Sequence, residues 1–296
     1  MTQSPDHPIK LIVNPVSGHG RGAKVAVQVS RILHARGVAH ELRYSARPDE
    51  PTALTQAAVD AHCQCIVAIG GDGLVHQVAN VLVGTATTLG IIPAGTGNDI
   101  ARGLGIPLET ASAVGGILDG IEQRVDVGQA NDRYFFSIAV MGLAAEVNRR
   151  ANQFKRFRVN ALYTAVTIGS VFLDHPIKFT IQYDGQIRQC YSWLIAVGNT
   201  WSSARGMALV PAARPDDGML DACIVNGMGK WELLYTFPRV FAGRHIYSTG
   251  IDTIRGREIT ISAETSCELF ADGEHIGALP MTLRAVPQAL KIALPR

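Results

Sequence analysis

Apolar runs alternate with helical patterns along the first third of this 296-residue chain. Runs at 9–13, 42–45, 65–69 and 89–92 predict strands, and the stretches at 23–36, 51–62 and 74–83 predict the helices between them. The third run is apolar throughout, which is typical of a strand that helices cover on both faces. The alternation therefore predicts a parallel sheet with helices on both sides, in which ligands bind beyond the carboxyl ends of the strands.

The pattern changes near Val125. Short β-rich runs follow at 134–140, 179–183, 186–191, 193–197, 220–225, 258–262 and 268–271. Asp184 and Gly185, between two of these runs, form a hairpin signal. Apart from one predicted helix at 160–173, we expect the second half to be mostly antiparallel β-structure. At roughly 100–200 residues per domain, the length also suggests two domains.

Composition excludes several classes of protein. The chain has 27 basic and 25 acidic residues, a net charge of +2, whereas nucleic-acid-binding domains are usually strongly basic, so no nucleic acid is expected as a partner. A hydrophobic share of 47% with 18% charged residues excludes wholesale disorder. The longest compact apolar stretch, at 159–173, is shorter than the roughly 20 residues that a membrane-spanning helix needs.

The N-terminus and the cysteines indicate a compartment. Residues 1–8 are polar and contain no apolar segment, so no secretory signal is expected. The 5 cysteines include no Cys-x-x-Cys pair, and an odd number is unlike a disulfide framework. Cys63 and Cys65 lead into an apolar run and are interpreted as strand residues rather than ligands. These features predict a cytoplasmic protein.

Three Gly-rich loops follow three predicted strands: Asn-Pro-Val-Ser-Gly at 14–18, Gly-Gly-Asp-Gly at 70–73 and Pro-Ala-Gly-Thr-Gly-Asn-Asp at 93–99. Glycine lets backbone N–H groups approach phosphate oxygens, and a following helix contributes its positive N-terminus. One such loop can be merely structural, but three at one sheet edge predict a polyphosphate ligand with Mg²⁺, which prefers carboxylate oxygens. The G-x-G-x-x-G fingerprint and the P-loop are both absent, so neither a Rossmann dehydrogenase nor a Walker ATPase is supported.

These loops resemble the catalytic domain of the diacylglycerol kinase family, which includes bacterial lipid kinases, sphingosine kinases and ceramide kinases. The resemblance continues through the motifs at 125–128, 197–199, 211–213, 216–221 and 272–274. It implies an α/β plus all-β fold: a Rossmann-like, parallel-sheet nucleotide-binding domain at 1–125 and an antiparallel β-sandwich lipid-substrate domain at 126–289. The tail at about 290–296 is expected to return to the first domain.

The resemblance also implies site residues. The implied nucleotide-binding residues are Asn14, Pro15, Ser17, Gly18, Ser45, Gly70, Gly71, Asp72, Gly73, Leu74, His76, Gly95, Thr96 and Asn98. Asp72, Asp99 and Asp126 match carboxylates that organise Mg²⁺, largely through water, a cation that characteristically keeps several waters. His76 is interpreted as a supporting or helix-surface residue rather than a catalyst.

Two further acidic segments have matches in the family. Asp217, with the carbonyls of Arg214 and Met219, matches a second, structural metal position, and an ordinary Asp-Gly turn is an equal alternative. Asp272 and Glu274 match the segment that supplies the general base, which orients or deprotonates the attacking hydroxyl in phosphoryl transfer. Here the alternatives are a plain hairpin turn, and a base at Asp72 as in related sphingosine kinases.

The segment at 74–77 departs from the family pattern. Most bacterial members have Thr after Gly-Gly-Asp-Gly and then Asn-Glu, whereas this chain has Leu74, His76 and Gln77. Leu74 with His76 is similar to the sphingosine kinase version, and Asn98 with Asp99 to the diacylglycerol kinase version. Without the Thr hydroxyl and the Glu, this chain lacks one phosphate donor and one metal partner of the family pattern. The departure also leaves the identity of the lipid substrate undetermined.

A basic and aromatic segment lies at 149–158, with the cations Arg149, Arg150, Lys155, Arg156 and Arg158 and the rings of Phe154 and Phe157. Each cation near an anionic membrane contributes about 1 kcal/mol, so we expect peripheral membrane association during catalysis. A solvated, mobile face is the alternative. The apolar stretch at 160–173 is predicted to be a buried helix or a helix that lines an acyl-chain pocket.

The sequence thus predicts an ATP-dependent lipid kinase that phosphorylates the hydroxyl of a membrane lipid, such as diacylglycerol or a sphingoid lipid. Mg²⁺ is the expected cofactor and ATP the co-substrate. One alternative is an NAD kinase-like enzyme, which shares Gly-Gly-Asp-Gly. The other is a nucleotide- or lipid-binding regulator with impaired catalysis, which the altered 74–77 segment suggests.

Overall fold

The computed structural model describes residues 8–153 and 169–296. The described chain divides into two compact units. Unit 1 contains the residues up to Val127 together with Ala204–Gly206 and Val286–Arg296, and unit 2 contains Gly128–Ser203 and Met207–Ala285. Within the described residues, every helix is too short or too polar to cross a bilayer.

Unit 1 is built on a parallel sheet. Strand β1 (Ile9–Val13) lies between β2 (His40–Tyr44) and β3 (Cys65–Gly70), and β4 (Thr88–Pro93) pairs with the other edge of β3. The last part of a long strand, β17 (Met281–Leu294), runs parallel beside β4. Every residue of β3 and β4 is buried, as the wholly apolar third run predicted.

Helices connect these strands. They are α1 (Ser17–Ala35), α2 (Glu50–Asp60), α3 (Asp72–Leu82), α4 (Asp99–Gly103) and α5 (Thr110–Asp119), and strand β5 (Ile121–Ala130) follows. Gly18, His19 and Gly20 have positive φ, so the regular part of α1 begins after them, near the predicted start. Gly37, with φ +66°, follows the end of α1 in the left-handed conformation that commonly ends helices.

Unit 2 consists mainly of antiparallel strands. They are β6 (Arg133–Phe135), β7 (Ile138–Gly142), β8 (Ile177–Tyr183), β9 (Gln186–Gly198), β10 (Ser202–Ser203), β11 (Met207–Ala208), β12 (Leu220–Asn226), β13 (Ile251–Gly256), β14 (Glu258–Ala263), β15 (Glu268–Ala271) and β16 (Glu274–Ala278), followed by the first part of β17. Along β9, Ile195 and Val197 enter one buried apolar cluster while Trp193 and Ala196 enter another. Both faces of this strand are therefore covered, and the predicted fold class is confirmed.

The helices of unit 2 lie outside its sheet. They are α6 (Leu143–Gln153), the helix Lys230–Thr236 and the 3₁₀ segments Phe237–Ala242 and Arg244–Tyr247. The predicted helix at 160–173 falls mostly outside the described residues, and its last part, 169–173, is helical.

Two strand predictions have the wrong boundaries. The run at 134–140 is two strands, because the N–H groups of Phe136 and Ser137 donate to the Asp272 carboxylate instead of a neighbouring strand. The runs at 186–191 and 193–197 are one strand, β9, which continues through Ser192 although its pairing with β12 shifts register there.

Candidate active site

The three Gly-rich loops meet at the carboxyl ends of β1, β3 and β4. The N–H of Ala94 donates to the Gly70 carbonyl at 2.7 Å, and the N–H of Gly71 donates to Ser17 Oγ at 3.3 Å. A Cβ on Gly18 would lie 2.3 Å from the Ala94 carbonyl oxygen, and one on Gly95 would lie 2.4 Å from the Gly71 Cα. The loops therefore pack backbone against backbone, an approach that only glycine permits.

The first loop is fixed by its own asparagine. Asn14 Oδ1 accepts from the Val16 N–H at 3.2 Å, and the Asn14 carbonyl accepts from the Ser17 N–H at 3.2 Å. Ser45, just after β2, is buried beside this loop, and its N–H and hydroxyl both donate to the Val13 carbonyl. The structure thus brings Asn14, Ser17 and Ser45 to one edge of the sheet.

The side chain of Asn98 fixes the shape of the third loop through two hydrogen bonds. Asn98 adopts a left-handed conformation with φ +56°, its Oδ1 accepts from the Gly95 N–H at 2.9 Å, and its Nδ2 donates to the Gly95 carbonyl at 3.1 Å. Thr96 lies within this hydrogen-bonded turn and is exposed.

Two carboxylates converge beside this turn. Asp72 Oδ1 accepts from the Ile100 N–H at 3.0 Å, in the first turn of α4. A Cβ on Gly97 would lie 2.9 Å from Asp72 Oδ2 and 3.0 Å from Asp99 Oδ2. The missing side chain of Gly97 therefore leaves a space bordered by both carboxylates.

Asp99 and the third loop are held by residues that had not been predicted as site residues. The Asp99 carboxylate accepts from the N–H groups of Arg205 and Gly206 at 2.9 and 2.8 Å, and Arg102 Nε donates to the Gly97 carbonyl at 3.2 Å. Arg205 and Gly206 both have positive φ, which turns their N–H groups toward the same acceptor. Gly206 is the one local sequence signal for this turn, and Arg102 has none.

The departing residues at 74–77 turn inward on α3. The Leu74 side chain packs over Gly70, where a Cβ would lie 2.6 Å from Leu74 Cδ2, and His76 is buried. Gln77 Oε1 is buried with no hydrogen-bond partner in the described part of the chain. Gly73 is exposed and has open space around it. The side chains of Leu74 and His76 thus lie in the interior of unit 1.

Asp126 lies on β5 in unit 1. It is 2% exposed, and its Oδ1 accepts from the Gln288 N–H at 2.8 Å, which ties β5 to β17. Among the residues that the structure describes, no group of three or more His, Cys, Asp and Glu side chains has a geometry that could hold a metal. The role of Asp126 toward Mg²⁺ therefore stays a prediction.

In unit 2, Asp272 occupies the turn between β15 and β16. It has φ +50°, and its carboxylate accepts from the N–H groups of Phe136 at 2.7 Å and Ser137 at 2.8 Å. Behind it, the buried side chains of Ser137 and Thr200 are joined by a hydrogen bond. Glu274 is exposed at the start of β16. The segment is a hairpin turn, and its first carboxylate is held in a fixed orientation.

Asp217, at the second predicted metal position, has partners within unit 2. Asp217 accepts from the Met219 N–H at 3.1 Å and pairs with the Arg255 guanidinium, while the Arg214 side chain pairs with Asp216. Arg255 Nε also lies 3.7 Å from Asp221, a carboxyl whose pKa is raised by burial. An arginine thus supplies positive charge beside Asp217, and a metal at this position stays a prediction.

Most of the basic and aromatic segment falls outside the described residues or their side chains. Phe154, Lys155, Arg156, Phe157 and Arg158 lie in 154–168, and the side chain of Arg149 is not described. Arg150 donates to Asp174 at 2.9 and 3.0 Å and pairs with Glu146 at 2.7 Å. This cation is therefore occupied by carboxylates of its own unit.

Comparisons with known proteins match both halves of the chain to known families. Residues 8–130 match the family described as diacylglycerol kinase catalytic domain, and residues 137–294 match the YegS C-terminal NAD kinase beta sandwich-like domain. A diacylglycerol kinase of Mycobacterium tuberculosis is 32% identical, with 97% of this chain and 95% of that protein covered. The diacylglycerol kinase of Bacillus subtilis is 28% identical, with 97% and 96% covered.

Solved structures share the fold. A crystal structure of a diacylglycerol kinase from Bacillus anthracis superposes with a TM-score of 0.75 at 23% identity, over 97% of each chain. A second crystal structure from the same organism reaches a TM-score of 0.79 at 25% identity, again over 97% of each chain. Since the loops, the two folds and the near full-length relatives agree, the chain belongs to the diacylglycerol kinase catalytic domain family.

Proposed function

We propose that this protein is an ATP-dependent lipid kinase that transfers the γ-phosphate of ATP to the hydroxyl of a membrane lipid. The observation that best supports this function is the packing of three Gly-rich loops, with the Asp72 and Asp99 carboxylates beside them, at one edge of a parallel sheet. Sheets of this kind bind ligands at that edge. A triphosphate with its cation suits both the backbone N–H groups and the carboxylates.

The phosphates would be bound by the loops themselves. Backbone N–H groups near Gly18 and Gly73, the N-terminus of α3 and the exposed Thr96 offer donors to phosphate oxygens. Asn98 and Ser17 act on the protein rather than on the ligand, because their side chains fix the loops that carry those donors. Asn14 and Ser45 would border the nucleotide next to β1.

Asp72 and Asp99 would hold Mg²⁺ through water. Both carboxylates accept backbone N–H bonds, and one oxygen of each borders the position that a Gly97 Cβ would occupy, a pair of oxygen ligands that suits a cation keeping several of its waters. When bound, the cation neutralises negative charge on the transferred phosphoryl group. Asp126, on β5, would be a further carboxylate that helps to hold this cation through water.

Asp272 would orient the lipid hydroxyl and accept its proton. The Asp272 carboxylate accepts hydrogen bonds from the N–H groups of Phe136 and Ser137. Those two bonds fix the carboxylate, which favours a positioned base. Glu274, exposed one residue beyond Gly273, is the second candidate for the same role.

The activity is tested with γ-labelled ATP, Mg²⁺ and a panel of diacylglycerol, sphingoid and ceramide lipids, with NAD in a parallel reaction. We expect label on a lipid. Absence of lipid label where a control lipid kinase works would contradict the proposal, and label on NAD would favour an NAD kinase. Replacing Asp272 and Glu274 by Asn and Gln should abolish turnover and leave ATP binding intact, whereas a regulator would lose nothing.

Gly95→Ala tests the loop packing. The new Cβ would lie 2.4 Å from the Gly71 Cα, so one loop must move, and we expect ATP affinity to fall at least about tenfold, or about 1.4 kcal/mol. Gly115→Ala in α5 is the matched control, because nothing lies within 4 Å of its Cβ. Titration calorimetry with ATP compares the two, and equal affinities would contradict the proposed nucleotide site.

A further inference from the structure

A row of aromatic side chains is exposed on unit 2. Trp231, Tyr235, Phe241 and Tyr247 are 76%, 70%, 57% and 84% exposed. They belong to the helix Lys230–Thr236 and to the two 3₁₀ segments that follow it. Large aromatic side chains grouped on a surface usually mark an interaction site.

The segment that carries these rings is firmly packed on its other side. Leu233, Thr236, Val240 and His245 are buried, and Leu233 belongs to an apolar cluster of unit 2. The segment therefore has a buried apolar face and, opposite it, an exposed aromatic face. An ordinary surface helix presents polar side chains on its exposed face.

Direct contacts link two of the exposed rings to neighbouring side chains. The Trp231 ring lies edge-on to Phe172, with centroids 5.7 Å apart, and Lys230 Nζ donates to the Phe172 carbonyl at 2.7 Å. The Arg239 guanidinium lies 4.8 Å from the centre of the Tyr235 ring and donates to Ser248 Oγ at 3.1 Å, next to Tyr247. We call this surface, from 172–173 through 230–247, the aromatic–basic patch.

The charge of the patch is positive. Between Met228 and Gly250 the sequence has three cations, Lys230, Arg239 and Arg244, and one carboxylate, Glu232. Arg239 and Arg244 are exposed, and Leu173 adds an aliphatic side chain that is 72% exposed. The patch thus combines interfacial rings, an aliphatic side chain and cations.

We propose that the aromatic–basic patch docks unit 2 onto a membrane surface that contains anionic lipids. Trp and Tyr rings favour the level of the lipid headgroups, and nearby cations are attracted to anionic headgroups. The excess of three cations over one carboxylate favours such a surface over a second copy of this chain, which carries the same charge. The inference rests on the proposed function, because a kinase whose acceptor is a membrane lipid works at a bilayer.

Sedimentation with vesicles tests the patch without nucleotide or turnover. The full chain is mixed with vesicles of phosphatidylcholine alone or with 30% phosphatidylglycerol, at low and high salt. We expect binding to the anionic vesicles that weakens with salt. Trp231→Ser with Tyr235→Ser should lower it at least about tenfold through lost apolar burial, and Arg244→Gln about fivefold through one lost charge. Ile187→Ser, at an exposed position on β9 outside the patch, should bind as the wild type does.

The outcomes separate the patch from the catalytic proposal. Wild-type vesicle binding by the Trp231 and Tyr235 variant, with an unchanged melting temperature, would overturn the docking surface whatever the kinase assay shows. So would a dimer that this variant converts to a monomer, since the patch would then bind a second copy. Patch-dependent binding without any lipid phosphorylation would support the docking surface and contradict the proposed function. If both hold, the variant loses activity on vesicles and retains it on a short-chain, monomeric lipid.

Discussion

His245 is a buried histidine in unit 2 whose protonation opposes folding. It is 1% exposed, its Nε2 donates to the Leu209 carbonyl at 3.1 Å, and it lies 3.7 Å from the Cys223 Sγ. Burial lowers the pKa of His245 and raises the pKa of the Cys223 thiol to about 12, so both groups are neutral at pH 7. A proton on His245 would therefore be placed in the protein interior with no carboxylate among its described contacts.

We expect acid to destabilise the protein through this residue. The unfolded chain binds the proton below a pH of about 6.5, whereas native His245 resists it, so stability falls as the pH drops through that range. One such proton changes the unfolding free energy by at most about 1.4 kcal/mol per pH unit. His245→Gln keeps a donor for Leu209 and cannot titrate, so its stability should depend less on pH.

Urea unfolding between pH 5 and 7.5 measures the difference between the wild type and His245→Gln. Equal pH dependence in the two proteins would show that His245 is not the responsible group. Ser30 pairs with a partly exposed histidine, His40, whose replacement by Gln provides a matched control on the sheet of unit 1.

At the residue scale, the sequence predicted the glycines of the loops better than it predicted hydrogen-bond partners that lie far apart along the chain. The glycines of the three loops were identifiable because a close approach needs glycine, and the structure shows that approach at Gly18 and Gly95. The partners of Asp99 could not be identified from the sequence, because Arg205 and Gly206 lie more than a hundred residues away along the chain. The same holds for Asp272 and its donor Phe136.

At the scale of elements, the hairpin between β8 and β9 shows local sequence deciding local structure. Tyr183 pairs with Gln186, and the two residues between them, Asp184 and Gly185, have φ values of +44° and +75°. Positive φ at both positions defines a type I′ turn, which matches the twist of a hairpin. Asp followed by Gly is a sequence typical of this turn, and the hairpin prediction is confirmed.

Gly185→Ala should destabilise unit 2 by about 1–2 kcal/mol, because an L-residue at positive φ costs about that much. Nothing lies within 4 Å of the added Cβ, so the cost is conformational rather than steric. Asp184→Asn is the control, since Asn tolerates positive φ equally well, and it should leave stability within about 0.5 kcal/mol. Urea midpoints measure both, and an unchanged midpoint for Gly185→Ala would contradict the turn assignment.

Long strands were harder to predict than the hairpin. Strand β17 contains Pro287, and Gln288 has φ +50°, so its sequence resembles a break rather than one strand. The chain nevertheless continues through this point from unit 2 into unit 1. Short-range periodicity cannot detect such a strand, because its two parts belong to different cores.

At the scale of the whole molecule, unit 1 is assembled from three separate parts of the chain. The sequence placed a boundary after residue 125 and a returning tail at about 290–296, and in the structure the first segment ends at Val127 and the tail begins at Val286. The third part, Ala204–Gly206, had only Gly206 as a local sequence signal, yet it binds Asp99 through two N–H groups. The order of motifs along the chain predicts the domain architecture. That a three-residue segment from the second half belongs to unit 1 is visible only from its contacts in the structure.

The returning tail is expected to be essential for unit 1. Leu290 and Ile292 are almost fully buried, Ile292 pairs beside Leu89 on β4, and the Gln288 N–H satisfies the buried Asp126 carboxylate. Burial of Leu and Ile contributes about 1.5–3 kcal/mol each, a large part of the roughly 5–15 kcal/mol that stabilises a typical protein. A chain that ends at Ala285 loses these contacts and leaves the edge of β4 unpaired.

Hydrogen exchange followed by mass spectrometry tests this chain that ends at Ala285. Amides of β3 and β4 in unit 1 should lose most of their protection, while those of β9 and β12 keep theirs, because unit 2 has its own buried apolar clusters. A chain that ends at Leu294 lacks only the last two residues and should exchange as the full chain does. If the shorter chain kept full protection in β3 and β4, the tail would be an accessory strand and the sheet of unit 1 would be stable without it.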